Sequence, residues 1–221
     1  PQNAPITEAD KTSEVQFSAF FPPEAQINHP HGLYVYAHLP GVLDAISKDV
    51  ERFRQELGGQ VPAPKTAKKS ARLQHETPIT IVPECDELEF EPASLTKKWR
   101  EDWIRFDFDF RPSADGVDET VVIRVSVMVA GVEIAHINCP MKIVQVVQQP
   151  TEQPENPLRA AKMATRTAKM YDRIFVSYSR RDTQVAEAYR LAPIAIGNDV
   201  FMDSYSIRVG EDWRAALAPA I

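Results

Sequence analysis

The strongest constraint on what this chain can fold into is a strict alternation of apolar and polar residues near its middle. In residues 103–111 (WIRFDFDFR), Ile104, Phe106, Phe108 and Phe110 are separated by Arg105, Asp107 and Asp109, with Arg111 following. Successive side chains of a β-strand point to opposite faces, so this spacing sets apolar rings on a core and charges in water. Residues 120–130 (TVVIRVSVMVA) repeat the pattern with Val121, Ile123, Val125, Val127 and Val129. Alternation of this kind predicts an antiparallel sheet with one covered face.

Weaker signals of the same sort flank this pair. Ile79 and Ile81 alternate with Thr80 and Val82 ahead of Pro83, and Leu88 and Phe90 with Glu89 and Glu91 ahead of Pro92. Residues 15–21 (VQFSAFF) predict a first strand, stopped by Pro22 and Pro23. Residues 33–38 (LYVYAH) fit a second strand or the entry to a helix. Asp115-Gly116 marks a turn, Gly131 breaks the strand before it, and residues 132–147 supply one or two strands around Pro140. Between these segments, residues 41–57 change period. Val42, Leu43, Ile46, Val50, Phe53 and Leu57 recur at helical spacing with charged residues between them, which predicts an amphipathic helix ended by Gly58-Gly59. Residues 60–72 (QVPAPKTAKKSAR) read as an exposed basic loop. The expectation for residues 15–147 is an antiparallel β-sandwich-like domain with one helix, preceded by a polar, disordered tail over 1–14.

Composition excludes several classes. No stretch of the 221 residues approaches the roughly 20 apolar residues that a membrane span needs, and the first residues lack the basic-then-apolar order of a secretory signal. A net charge of −6 argues against a nucleic-acid partner. Cys85 and Cys139, the two cysteines, are too few for a disulfide framework and read as reduced thiols of a cytoplasmic protein. His29, His31 and His38 have no cysteine or acidic cluster near them, so no metal site is expected. Phosphate-binding loops and nucleophile elbows are absent from the sequence.

Residues 148–157 (QQPTEQPENP) have the composition of a semi-rigid linker, and residues 158–170 (LRAAKMATRTAKM) predict a connecting helix. From Tyr171 the pattern changes. Residues 173–177 (RIFVS) form a short apolar strand. A helix follows, capped by Asp182 or Thr183 and kinked or shortened by Pro193, with Val185, Ala188, Tyr189 and Ala192 on its buried side. Residues 198–203 (NDVFMD) form a second strand, 204–210 a loop, and 211–221 the start of another helix. This β–α–β–loop–α order predicts parallel strands.

Two blocks of this segment, IFVSYSRRD and VFMDSYSIRVGEDW, resemble the first motif of TIR (Toll/interleukin-1 receptor) domains and that family's second strand with the loop after it. Their separation suits one intervening helix. One departure is Val209, where many members of the family carry a proline. The resemblance covers residues 171–221 and implies the first part of a flavodoxin-like fold, so the whole chain is expected to be a two-domain α+β protein whose TIR unit is incomplete. It implies a crevice beyond the strand ends, between 177–181 and 203–210. Carried over by position, Ser177, Tyr178, Arg180, Asp203, Arg208 and Trp213 are candidates to line an NAD pocket or an assembly surface. NAD would be the substrate, with no bound cofactor. The glutamate essential in TIR enzymes would lie past the third strand, beyond Ile221. Glu211 does not replace it, so no catalytic residue is assigned here and this chain is expected to be inactive. The partners implied are TIR domains of the same or related proteins, in a homo-oligomer formed on activation. Two further possibilities are a non-enzymatic TIR adaptor and a β-sandwich binding module with an inactive TIR remnant.

Overall fold

The computed structural model describes residues 12–57, 70–113, 118–145, 164–171, 173–176, 178, 182–195 and 199–202. In chain order its elements begin with β1 (Thr12–Phe21), β2 (Glu24–Gln26), β3 (His31–His38), a 3-10 turn (Pro40–Val42) and α1 (Leu43–Leu57). There follow β4 (Ala71–Gln74), β5 (Pro78–Glu84), β6 (Leu88–Glu91), β7 (Leu95–Lys98), β8 (Trp103–Pro112), β9 (Thr120–Val129) and β10 (Val132–Val144). The last elements are β11 (Ala164–Thr167), β12 (Lys169–Met170), β13 (Arg173–Val176), α2 (Thr183–Ala195) and β14 (Asp199–Met202).

Among the described residues, β11, β1, β3, β8 and β6 lie side by side in that order, with β4 also on β1. A second sheet runs β12, β10, β9, β5 and β7, with β2 also on β10. The pairings are antiparallel apart from the parallel β2–β10 contact. The alternating residues do what the pattern predicts. Phe106, Phe108 and Phe110 from the first sheet share one buried cluster with Val121, Ile123, Val125, Val127 and Val129 from the second. Burying each ring contributes on the order of 1.5–3 kcal/mol.

The first sheet is covered on its other face as well. Phe20 and Tyr36 point away from the central core and meet Ile46 and Val50 of α1, all four being buried. The Phe20 and Tyr36 rings pack edge to face, 5.4 Å apart at 79°, a geometry that the ring quadrupole favours. Asp49 ties the same helix down. Its Oδ2 accepts from the Tyr36 hydroxyl at 2.8 Å and from Arg105 Nη1 at 2.7 Å, and Arg105 Nε lies 2.6 Å from Asp107 Oδ1.

Three expectations about local structure are corrected. Residues 164–170 are strands, not a helix. Helix propensity is worth a few tenths of a kcal/mol per residue, and here it is outweighed by pairing with two open sheet edges and by burial of Ala168. Ala71 and Arg72 belong to β4 and pair with Val15 and Glu14, so part of the expected basic loop is strand, and β1 begins at Thr12 inside the expected disordered tail. Of the one or two strands expected over 132–147, the structure has one, residues 132–144, with Pro140 inside it. The missing N–H of Pro140 is tolerated because its outer side falls between the stretches paired with β12 and β2. Pro83 in β5 likewise lies past the residues that pair with β7. No helix among the described residues is long and apolar enough to cross a membrane.

Candidate functional site

The last described elements form a separate two-stranded sheet in which β13 and β14 are parallel and in register, Arg173 opposite Asp199 and Val176 opposite Met202. Parallel neighbours need a crossover, and α2 supplies it. The helix contacts both strands and also β10. Its buried side differs from the expected one. Ala186 and Pro193 are buried, whereas Val185 and Tyr189 are 56% and 47% exposed and Ala188 is exposed too. Positions 186 and 193 are seven apart, two helical turns, so the inward face is turned by about one residue from the one that the apolar pattern suggests. Pro193 does not stop the helix, which runs two residues past it to Ala195.

Because the register is even, both strands finish side by side at Val176 and Met202, the positions directly before Ser177 and Asp203. Of the six candidate site residues, Tyr178 is described, and it is half-buried. Ser177, Arg180, Asp203, Arg208 and Trp213 lie outside the described residues, as do the linker over 148–157, the loop over 204–210 and the helix start over 211–221.

Sequence reading missed a polar cluster on the outer face of the second sheet, centred on Tyr171. Its hydroxyl donates to Glu133 Oε1 at 2.7 Å and sits 3.0 Å from Arg124 Nη2 and 3.1 Å from His136 Nδ1. Arg124 Nη2 also reaches Glu133 Oε1 at 2.7 Å, and the His136 and Tyr171 rings lie 5.5 Å apart. Burial, then the nearby Arg124 charge, lowers the His136 pKa. Burial and the Glu133 contact raise that of Tyr171.

A second set of histidines is structural. His38 and Ser18 are both fully buried, with Nε2 3.0 Å from the serine Oγ and Nδ1 2.9 Å from the Leu39 carbonyl. A carbonyl only accepts, so Nδ1 carries the proton and Nε2 accepts from Ser18. The arrangement resembles a nucleophile with its base, but both groups are sealed from solvent and burial lowers the His38 pKa, as suits a neutral, satisfied pair. His31 Nε2 is held by the Gln26 backbone, accepting from its amide at 2.9 Å in one tautomer or donating to its carbonyl at 3.1 Å in the other. No group of three or more potential metal ligands occurs among the described residues.

Glu76 gathers charge near the end of β7. Arg100 Nε and Nη2 lie 2.6 and 3.0 Å from its carboxylate, and Lys98 Nζ lies at 3.1 Å. Hydrogen bonds from Arg100, then Lys98, hold its pKa down at about 2. Its stabilising effect is therefore present above the ordinary carboxylate range and is lost as pH falls through that value. Carboxyl-carbon NMR is expected to give a Glu76 midpoint near the same value; one in the ordinary range would mean that the fork does not form in solution.

Compared with known proteins, the chain matches no family model and no curated protein.

Proposed function

We propose that this chain is part of a cytoplasmic TIR-domain signalling or defence protein, in which the β-sandwich senses or assembles and the TIR domain, in complete form, cleaves NAD between nicotinamide and ribose. The observation that carries this reading is the parallel, in-register pairing of β13 and β14 across α2. The two motif blocks require that arrangement, and an antiparallel pair would have excluded it. The even strand ends also suit a crevice between the segments that follow them, since ligands of parallel sheets bind beyond the carboxyl ends of the strands.

The test is release of nicotinamide from NAD by the protein carried past Ile221 through the next strand and helix, at concentrations where it self-associates. Release is expected. Arg208→Ala is expected to reduce both release and self-association by about tenfold or more, one lost charged contact being worth about 1.5–3 kcal/mol. Self-association without release would make the protein an adaptor. Neither behaviour would leave the sandwich as the functional part and overturn the TIR reading.

A further inference from the structure

A phenol oxygen has one proton to donate and two lone pairs to fill. At Tyr171 all three are engaged. The proton goes to Glu133, and since it is committed there, Arg124 Nη2 and His136 Nδ1 must both donate to the oxygen. His136 is thereby fixed with its proton on Nδ1. The four groups come from β9, β10 and the residue that follows β12, so the hydroxyl stitches that residue to the outer face of the second sheet.

Tyr171 is also the point at which the sandwich ends and the parallel unit begins. Ala168 N donates to Phe17 O at 2.8 Å in the first sheet, and Tyr171 N to Ile134 O at 3.2 Å in the second. β13 starts two residues later, at Arg173. Two residues of extended chain span about 7 Å, so the parallel unit is tethered with almost no slack. A second contact lies further along. Tyr189 of α2 packs against Gly131, where a Cβ would come within 3.4 Å of Cε1 of the ring, and Gly131 sits at φ +78° in the β9–β10 turn.

We propose that Tyr171 is a latch: its hydroxyl, held by Glu133, Arg124 and His136, fixes the β13–α2–β14 unit against the sandwich, and its release frees that unit to move without unfolding either sheet. A polar latch on a half-exposed surface can open locally at far lower cost than a core contact. The Arg124 side chain is 42% and the Glu133 side chain 27% exposed. The proposal concerns how the two parts are joined and stands whether or not the TIR reading holds.

Tyr171→Phe keeps the ring and removes the hydroxyl. In this variant, amide hydrogen exchange in β13 and α2 is expected to rise about tenfold over wild type while exchange in β8 is unchanged. Nitrogen-15 NMR is expected to show the His136 proton on Nδ1 in wild type and its redistribution toward Nε2 in the variant. Glu133→Gln, which leaves the ring in place and weakens the acceptor, is expected to move β13 and α2 in the same direction by a smaller factor, and serves if Tyr171→Phe folds poorly. Unchanged exchange in β13 and α2, or an equal rise in β8, would overturn the latch and reduce Tyr171 to an ordinary contributor to global stability.

Discussion

Phe108→Ala is expected to destabilise the protein by about 3–5 kcal/mol, the usual cost of deleting a buried phenylalanine ring. Phe108 is 1% exposed and stands between Phe106 and Phe110 in the core that the two sheets share. The neighbouring backbone cannot close over the vacated space. β8 is held by β3 along residues 103–110, where Phe108 faces Leu33, and by β6 along residues 109–112. Most of the ring's volume would therefore remain as a cavity. Urea denaturation monitored by circular dichroism measures the loss, with Val122→Ala as a control. Val122 lies on the neighbouring sheet but is 49% exposed, so its truncation is expected to change stability by no more than about 0.5 kcal/mol. A loss of less than about 1 kcal/mol at Phe108 would mean that the facing sheets do not interlock at this level.

Asp49→Ala is expected to cost about 2–3 kcal/mol and to loosen α1 selectively. One carboxylate oxygen serves two donors, the Tyr36 hydroxyl and Arg105 Nη1, and the Arg105 and Asp49 side chains are 23% and 18% exposed. Losing an acceptor shared by a charged and a neutral donor costs more than losing either bond alone. Partial exposure and the remaining Asp107 partner keep the figure below that of a fully buried ion pair. Burial, then the Asp49 hydrogen bond, pushes the Tyr36 hydroxyl pKa well above its ordinary value, and removing Asp49 should bring it down. A double-mutant cycle with Tyr36→Phe is expected to return a coupling of about 1 kcal/mol, and amide exchange should quicken in α1 before it does in β8. Additive effects would place the two groups on independent supports and contradict the shared-oxygen geometry.

How much of this was legible in the sequence depends on where each element gets its stability. The period-two runs through Phe108 and Val125 announce themselves because those strands have one face in a core, and the face is written into every second residue. The amphipathic α1 is legible for the same reason at another period, although nothing in its sequence says that Phe20 and Tyr36 wait beneath it. Short edge elements give a weaker signal or none. β7 (LTKK) is mostly exposed and β4 (ARLQ) is four residues long; each is a strand because a longer neighbour offers it hydrogen bonds. The stretch from Ala164 to Met170 even carries the opposite propensity. Clusters made by tertiary contact are harder still. Arg124 and Tyr171 are 47 positions apart, and no motif links them. The parallel pairing of β13 and β14 is legible because the strand–helix–strand order leaves little alternative, yet the inward face of α2 is not, since Ala186 and Pro193 are weaker apolar markers than Val185 and Tyr189. Of the candidate pocket residues, only Tyr178 falls among those described.

β1 and β10 are each partnered by two short pieces on different stretches of their length: β4 and β11 on β1, β12 and β2 on β10. A long naked strand flank is a template on which other chains can stack, and tiling it with fragments from distant parts of the sequence shields it only once the whole domain has assembled. A nascent chain not yet synthesised past residue 163 would still display half of β1 and part of β10 to its neighbours. The segment over 164–170, the last in chain order to join the two large sheets, thus acts as a cover against fibre-like growth, and its placement makes completion of those sheets, rather than collapse of the core, the step that renders them safe in a crowded cell.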